Sequence, residues 1–243
     1  PISRMTISKR GVERTLRGSG SQEYARSLHR ESVVVDTHSD TILELWLHPD
    51  VDFARRNEES FDMDLPRIME GGVTVQMMAI CNRDSPGSVA SKRLERVAKP
   101  LRLAAGDSVT GLSSALDCIE LVHREAARNP DRLVVGTKTS DMRRAKADGK
   151  VAVLMSVESG LPSGSTLDTL RAFYRLGVRC IALSAYEKRR SDTIGGPLDP
   201  FALGLIEEMN RLGMLVDVSH LLDEGFRQVT EAVKAPFIDS HAN

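Results

Sequence analysis

Five residues with metal-binding side chains follow short apolar segments of this chain: His38, Asp40, Glu158, His220 and His241. Neutral imidazole and carboxylate groups suit a borderline divalent ion such as Zn²⁺. His38 and Asp40 are two positions apart, so in an extended chain their side chains point the same way and can share one ion. The pair alone is a weak signal, because such residues near a strand end more often form a hydrogen bond or a helix cap.

Each candidate ligand also has an interpretation that needs no metal. Glu158 could instead form an ion pair with an arginine, and the histidines could be hydrogen-bonded residues of the core. The Ser-His dipeptides ending at His220 and His241 favour a shared task, because the same pair follows two successive predicted strands. Three histidines and two carboxylates exceed the usual three protein ligands of one catalytic zinc. The set therefore predicts two ions bridged by one carboxylate, with a hydroxide held between them for amide or ester hydrolysis.

The other histidines are assigned solvated or packing roles, and two serines are poor candidates for a nucleophile. His29 and His123 lie in helical patterns, and His48 precedes a proline. Ser219 and Ser240 lack the GxSxG signature of a nucleophilic serine. Water is therefore the expected nucleophile.

Composition narrows the class of partner. Apolar residues make up 41% of the chain, which is ample for a core, and the formal net charge of -1 offers no electrostatic reason to expect nucleic acid or an anionic membrane. No apolar run approaches the roughly 18 residues of a transmembrane helix. Cys81, Cys118 and Cys180 include no CxxC pair, so neither a disulfide framework nor a thiolate zinc site is indicated. We expect a small-molecule substrate and a reducing, cytoplasmic location.

The candidate ligands must be positioned by a repeating strand and helix pattern. Six aliphatic segments predict buried strands, at residues 33–35, 73–80, 151–157, 178–183, 214–218 and 236–238. Amphipathic patterns at 112–128, 167–176 and 201–212 predict helices between them. Asp199 and Pro200 predict the start of the third helix, and Gly213 predicts its end.

This alternation predicts an α/β barrel with parallel strands in one domain, at residues 31–243. All strand carboxyl ends open onto one face of such a barrel, so the five ligands converge there. Residues 1–30 are a basic N-terminal extension, predicted to be a tail or a first helix, with a transit peptide as the alternative. Residues 82–106 are predicted to be an irregular, partly helical insertion, and residues 186–200 a loop on the catalytic face.

The sequence resembles the membrane (renal) dipeptidase family of zinc peptidases, including its bacterial members. The resemblance runs from about Val33 to the last residue. It rests on the ordered motifs VVVDTHSD, DLPRIMEGGVTVQMMAI, VAVLMSVESG, LGVRCIALS, PFALGLIEEMNRLGMLVDVSHLLDEGF and APFIDSHAN.

The resemblance implies a (β/α)8 TIM-like barrel of the metal-dependent hydrolase kind, with about six of the eight βα units in this chain. It implies two zinc ions and cleavage of dipeptides, including those with a D-residue on the C-terminal side. By motif position, His38 and Asp40 would bind one zinc, Glu158 would bridge both as a catalytic residue, and His220 and His241 would bind the other. A dipeptide is the expected partner, and a homodimer the expected assembly.

Two departures from the family pattern bear on activity. Leu183-Ser184-Ala185 stands where the family usually has Leu-Thr-His, whose histidine contacts the substrate carbonyl or its oxyanion. Losing such a contact typically slows a reaction roughly 100-fold to 1000-fold. Tyr186, Lys188 and Arg189 are candidate replacements, and Tyr186 is the candidate substrate-binding residue.

The second departure lies at the end of the chain. The family continues with an arginine for the substrate carboxylate and an aspartate on the eighth strand, beyond the position of Asn243. We expect either a truncated product or completion by residues outside this segment or on another chain.

Zinc-dependent dipeptide hydrolysis is the leading hypothesis. The alternatives are a catalytically impaired family member that binds metal or ligand without turnover, an amidohydrolase acting on another N-acyl amino acid, and a metal-free barrel with structural histidines.

Overall fold

The computed structural model describes residues 19–58, 61–80, 111–158, 160–186 and 196–241. The strands are β1 Val35–Asp36, β2 Val75–Ile80, β3 Leu133–Val135, β4 Val151–Val157, β5 Val178–Ala182 and β6 Leu215–Asp217. The helices are α1 Ser19–Glu31, α2 Thr41–Leu47, α3 Leu65–Glu70, α4 Gly111–Arg128, α5 Thr139–Ala147, α6 Leu167–Arg175, α7 Pro200–Leu212 and α8 Asp223–Ala232. A short 3-10 helix, Ser184–Tyr186, follows β5. None of these helices is long and apolar enough to cross a bilayer.

The strands form one parallel sheet in the order β1-β2-β4-β5-β6, with β3 also paired to β4. Strand β4 lies at the centre of the sheet. Its residues 152–157 pair with β2, while its opposite edge pairs first with β3 and then with β5. The register shifts between Met155 and Ser156, where β5 takes over from β3. Helical crossovers join the parallel strands into half of a barrel, which is the predicted fold class.

The sheet is covered on both faces. In parallel pairing, residues in register share a face, so Val75 and Met77 lie on the same side as Ala152 and Leu154. These four residues belong to a small buried cluster, whereas the alternate residues of the same strands join a large cluster with the helices. Strand β4 is buried along its whole length for this reason.

The capping signals around α7 were predicted correctly. Asp199 accepts a hydrogen bond from Ala202 N at 2.8 Å, and Pro200 occupies the first turn. Gly213 ends the helix in the left-handed conformation, at φ 70°. Glycine has no Cβ to oppose that conformation, so the chain turns directly into β6.

Four of the predicted strands are confirmed within a few residues, and 151–157 matches β4 in full. The predicted strand at 33–35 overlaps β1 at Val35 alone. The predicted strand at 236–238 is wrong, because Ile238 forms only an isolated parallel bridge to Asp217. Strand β3 was missed because it has three residues and pairs with half of β4.

The predicted helices at 112–128, 167–176 and 201–212 are confirmed as α4, α6 and α7. On α4, the apolar stripe of that amphipathic pattern includes Leu112 and Leu116, but these two side chains are 43% and 40% exposed. The N-terminal basic region includes α1, whose His29 Nε2 lies 2.6 Å from the carbonyl oxygen of Gly71. The predicted insertion at 82–106 and residues 187–195 of the predicted loop lie outside the described residues.

Candidate metal centre

All five predicted ligands lie at the carboxyl ends of the strands. His38 and Asp40 follow β1, Glu158 follows β4, His220 follows β6, and His241 follows the bridge at Ile238. The carboxyl ends of parallel strands share one edge of the sheet, so these residues meet although they are distant in sequence.

The five side chains form one connected cluster. His38, Glu158 and His241 each place a donor atom within 4.8 Å of the others. Asp40 Oδ1 lies 3.6 Å from His38 Nε2, and His220 Nε2 lies 3.6 Å from Glu158 Oε1. His220 Nε2 and His241 Nε2 are only 2.6 Å apart. The nitrogen and oxygen donors of this cluster fit a divalent ion such as zinc.

The histidines crowd around a partly buried carboxylate. The rings of His38 and His241 lie with centroids 3.7 Å apart, and His241 meets His220 edge to face at 4.5 Å. The Glu158 side chain is 22% exposed. Burial and the nearby charge of Asp40 raise the pKa of Glu158, against the opposing effect of His38 and His220.

The pKa values of two histidines shift in opposite directions. Burial, with His38 and His220 as cationic neighbours, lowers the pKa of His241 and favours its neutral form. Burial also acts to lower the pKa of His38, but the hydrogen bond and the charge of Asp40 outweigh it and raise that pKa. A neutral imidazole is the form that binds metal, so His241 is already in the competent state near neutral pH.

A buried hydrogen-bond network joins the two Ser-His dipeptides. Asp217 is 2% exposed, and its Oδ1 accepts hydrogen bonds from Ser219 N at 2.9 Å and Ser219 Oγ at 2.7 Å. Its Oδ2 accepts from Ser240 Oγ at 2.6 Å. Ser219 Oγ in turn accepts from Ser240 N at 2.8 Å and His241 N at 3.2 Å. Asp217 therefore joins the segment at the end of β6 to the segment that carries His241, and Asp239 of the second segment accepts a longer hydrogen bond, of 3.0 Å, from Ser219 Oγ.

His220 has an unusual backbone conformation. Its φ of 66° makes it the one residue other than glycine with a positive φ in the described part of the chain. A left-handed conformation costs roughly 1–2 kcal/mol for a residue with a Cβ. The Asp217 network holds the preceding residue, Ser219, and so helps to maintain this turn.

Tyr186 lies in the 3-10 helix that follows β5, and its hydroxyl forms a hydrogen bond within the protein. Its hydroxyl accepts a hydrogen bond from Leu161 N at 2.9 Å, and burial raises its pKa to about 12. A Cβ on Gly160 would come within 2.9 Å of the Tyr186 ring, so the tyrosine packs directly on the backbone near Glu158. The hydroxyl can still donate a hydrogen bond, and substrate binding by Tyr186 stays a prediction. Lys188 and Arg189 lie outside the described residues.

Ala185 occupies the neighbouring position in the 3-10 helix and is exposed. A Cβ on Gly160 would lie 3.2 Å from the Ala185 Cβ, so this position borders the loop that follows Glu158. The methyl group offers no hydrogen-bond donor to a substrate at this place.

The sequence did not single out Asp217, Ser219 or Ser240 as functional residues. The repeated Ser-His dipeptide was the available signal, but it was attributed to the histidines alone. His123, for which the sequence predicts a solvated or packing role, places its Nε2 2.8 Å from the carbonyl oxygen of Leu176.

Comparison with known families and proteins finds similarity to dipeptidases. A family model described as membrane dipeptidase (Peptidase family M19) matches residues 22–243. Dipeptidase 3 of Mus musculus is 30% identical over 236 residues, which cover 91% of this chain and 43% of that protein. Dipeptidase tcpJ of Claviceps purpurea is 35% identical over 133 residues, covering 51% of this chain and 31% of that protein. The chain thus spans less than half the length of these relatives.

Solved structures show the same fold. A metallo peptidase from Rhodobacter sphaeroides, liganded with a phosphinate mimic of the dipeptide L-Ala-D-Ala, has a TM-score of 0.70 and 25% identity. The match covers 87% of this chain and 65% of that one. The probable dipeptidase PvdM from Pseudomonas aeruginosa has a TM-score of 0.63 at 19% identity, over 90% of this chain and 55% of that one.

Proposed function

This chain belongs to the membrane dipeptidase family, Peptidase family M19, and on that premise we propose that it hydrolyses dipeptides with the help of bound metal. The observation that carries the proposal is the convergence of three histidines and two carboxylates at one edge of the sheet.

The proposed cofactor is a pair of zinc ions. His38 and Asp40 would hold one ion, His220 and His241 the other, and Glu158 would contact both. When bound, zinc polarises a carbonyl and lowers the pKa of water. The chain itself orients the proposed ligands toward one another: Glu158 Oε1 lies 3.6 Å from His220 Nε2 and 4.0 Å from His241 Nε2.

The proposed substrates are dipeptides, including those with a D-residue on the C-terminal side. The Rhodobacter sphaeroides relative is liganded with a mimic of L-Ala-D-Ala, which supports this class. A substrate bound at this edge would meet Ala185 and the backbone near Gly160 on the β5 side.

Ala185 favours a second candidate function, namely metal or ligand binding without turnover. The exposed methyl group lies beside the loop of Glu158 and cannot stabilise developing negative charge. Under this alternative the metal centre is intact but the chemistry is slow or absent.

Metal content and hydrolysis should be measured on the same preparation. The chain is reconstituted with zinc, its metal is quantified, and it is incubated with L-Ala-D-Ala, other dipeptides and N-acyl amino acids, with and without a chelator. We expect about two zinc ions per chain and hydrolysis of dipeptides that the chelator abolishes. His220→Ala should lose metal, whereas His123→Ala, at a histidine remote from the cluster, should keep it.

Other results of this experiment would distinguish between the alternative functions. Folded protein that retains no zinc would contradict the proposal. Bound zinc without hydrolysis would favour the second candidate, and hydrolysis of N-acyl amino acids alone would indicate an amidohydrolase with another substrate.

A further inference from the structure

Asp217 differs from most buried carboxylates in its ion-pair and hydrogen-bond partners. No lysine or arginine lies within ion-pair distance of it in the described part of the chain. Its hydrogen bonds come from Ser219 and Ser240. These two serines immediately precede His220 and His241 in the sequence. Among the described residues, the hydrogen bonds of this carboxylate therefore reach only the two segments that present these histidines.

The hydrogen bonds around Ser240 determine where its proton lies. Ser240 Oγ is 2.6 Å from Asp217 Oδ2 and 2.7 Å from His241 Nδ1. A serine hydroxyl has one proton, and a carboxylate can only accept, so Ser240 donates to Asp217. Ser240 Oγ must then accept from His241, and His241 Nδ1 must carry the proton. This tautomer leaves the Nε2 lone pair of His241 directed toward His220 and Glu158.

We propose that Asp217 is a positioning residue for the metal centre: through Ser219 it fixes the two histidine segments, and through Ser240 it keeps the proton of His241 on Nδ1. The affinity part of this inference rests on the proposed metal-binding function, whereas the tautomer part applies to the metal-free protein. Partners of this kind behind a ligating histidine typically change metal affinity 10-fold to 100-fold when they are lost.

Asp217→Asn tests the inference with almost no change in shape. Asp217 Oδ1 faces the N–H groups of Ser219 and Ser240, at 2.9 and 3.2 Å, so the amide oxygen of asparagine must take that side. The amide NH₂ then faces Ser240 Oγ and donates to it. Ser240 turns its own proton to His241 Nδ1, and the histidine proton moves to Nε2. The variant should thus reverse the direction of the hydrogen bonds while keeping their number.

The tautomer can be read by nuclear magnetic resonance. In protein with ¹⁵N-labelled histidine, two-bond proton–nitrogen correlations distinguish the Nδ1–H from the Nε2–H form, and His241→Gln assigns the His241 signal. We expect Nδ1–H in the metal-free wild type and Nε2–H in Asp217→Asn. The same Nδ1–H form in both proteins, or Nε2–H in the wild type, would overturn the inference whether or not metal binds.

Cobalt titration provides the second measurement. Co²⁺ absorption should give a Kd roughly 10-fold to 100-fold weaker in Asp217→Asn than in the wild type. Asp64→Asn is the matched control, because it makes the same change at a buried aspartate of α3 and should leave both the Kd and the spectrum unaltered. Equal affinities in wild type and Asp217→Asn would overturn the positioning role. A wild type that binds no cobalt would contradict the proposed function instead, and the tautomer measurement would still decide this inference.

Ser240 offers an independent pair of variants if Asp217→Asn does not fold. Ser240→Ala removes the acceptor of His241 Nδ1–H, whereas Ser240→Thr retains a hydroxyl. We expect the Nε2–H form and weaker cobalt binding in the alanine variant, with recovery of both in the threonine variant. Equal behaviour of the two variants would overturn the proposed relay through Ser240.

Discussion

Asp64 and Asp217 are two buried aspartates whose surroundings differ in kind. Asp64 is fully buried at the start of α3, where it accepts hydrogen bonds from Asn57 N, Arg67 N and Arg67 Nε. The Arg67 guanidinium offsets its charge. Asp217 is equally inaccessible, but hydroxyl and backbone N–H groups are its hydrogen-bond partners, and no lysine or arginine of the described residues forms an ion pair with it.

The difference separates a structural carboxylate from one with a functional role. A buried charge is expensive unless it is paired, and Arg67 provides the pair for Asp64. The hydrogen bonds of Asp217 reduce this cost without neutralising the charge. The remaining negative charge favours a cation at the adjacent cluster, so stability at α3 and metal binding at β6 should respond to different changes.

The largest expected effect concerns metal binding at the β6 region. Free zinc at about 1,000 times its Kd should stabilise the fold by roughly 4 kcal/mol for each ion, because zinc binds the folded state. Urea unfolding with and without zinc measures this gain, which should be the same in wild type and Asp64→Asn and much smaller in His241→Ala. A gain that depended on Asp64 would remove the distinction between the two regions.

Asp64→Asn should lower the free energy of unfolding by about 2 kcal/mol, since the helix cap and the contact with Arg67 both weaken. Partial exposure of Arg67 keeps the loss below that of a fully buried pair. Hydrogen bonds from Arg67 and Asn57, acting against burial, lower the pKa of Asp64.

The stabilisation that this lowered pKa provides has a defined pH range. It is complete above the unfolded value of 3.8 and disappears as pH falls through the lower folded pKa. The gap between wild type and Asp64→Asn should therefore be constant near neutral pH and narrow below about pH 4. A gap that widened in acid would contradict the assignment.

Tyr186→Phe tests whether a polar residue at the strand ends is structural, like Asp64, or functional. Loss of the contact with Leu161 N should cost about 1 kcal/mol of stability, measured by urea unfolding. Because Tyr186 is the predicted substrate-binding residue, we also expect a raised KM for a dipeptide, with unchanged cobalt affinity. An unchanged KM would show that the hydroxyl has only a structural role.

The smallest expected effect is at Glu208 of α7, which is 7% exposed and pairs with two arginines that reach the solvent. Hydrogen bonds from Arg211 and Arg171 lower the pKa of Glu208 to about 2, but both arginines are substantially exposed and solvent screens the interaction. Glu208→Gln should reduce the melting temperature less than Asp64→Asn does. The difference from wild type should shrink as pH falls below the unfolded pKa of 4.5 and be lost only as pH falls through the folded pKa of about 2; 1 M salt should also reduce it. A difference that stayed the same from neutral pH down to pH 2 would indicate packing rather than charge.

The sequence predicted the elements that local patterns encode. Strand β4 is a continuous apolar run, and α7 carries its own start and stop residues, so both were predicted closely. Strand β3 has too few residues for such a pattern and depends on its pairing with the first half of β4. Residues 236–238 look like a strand in sequence, but only one bridge forms there.

The candidate site was likewise predicted only in part from the sequence. The convergence of the five candidate ligands was predicted because histidines and acids at the ends of parallel strands must share an edge. The role of Asp217 was missed because its contact with Ser240 joins residues 23 positions apart. No periodicity or spacing rule encodes which hydroxyl group meets which buried carboxylate.

The positive φ of His220 makes the residue type that suits folding differ from the one that suits the proposed function. Glycine or asparagine would adopt this left-handed turn more readily, and neither supplies an imidazole. Selection for thermal stability alone would therefore remove the histidine. Stabilisation screens that ignore activity can be expected to enrich substitutions here, so this position is one to hold fixed when the protein is engineered.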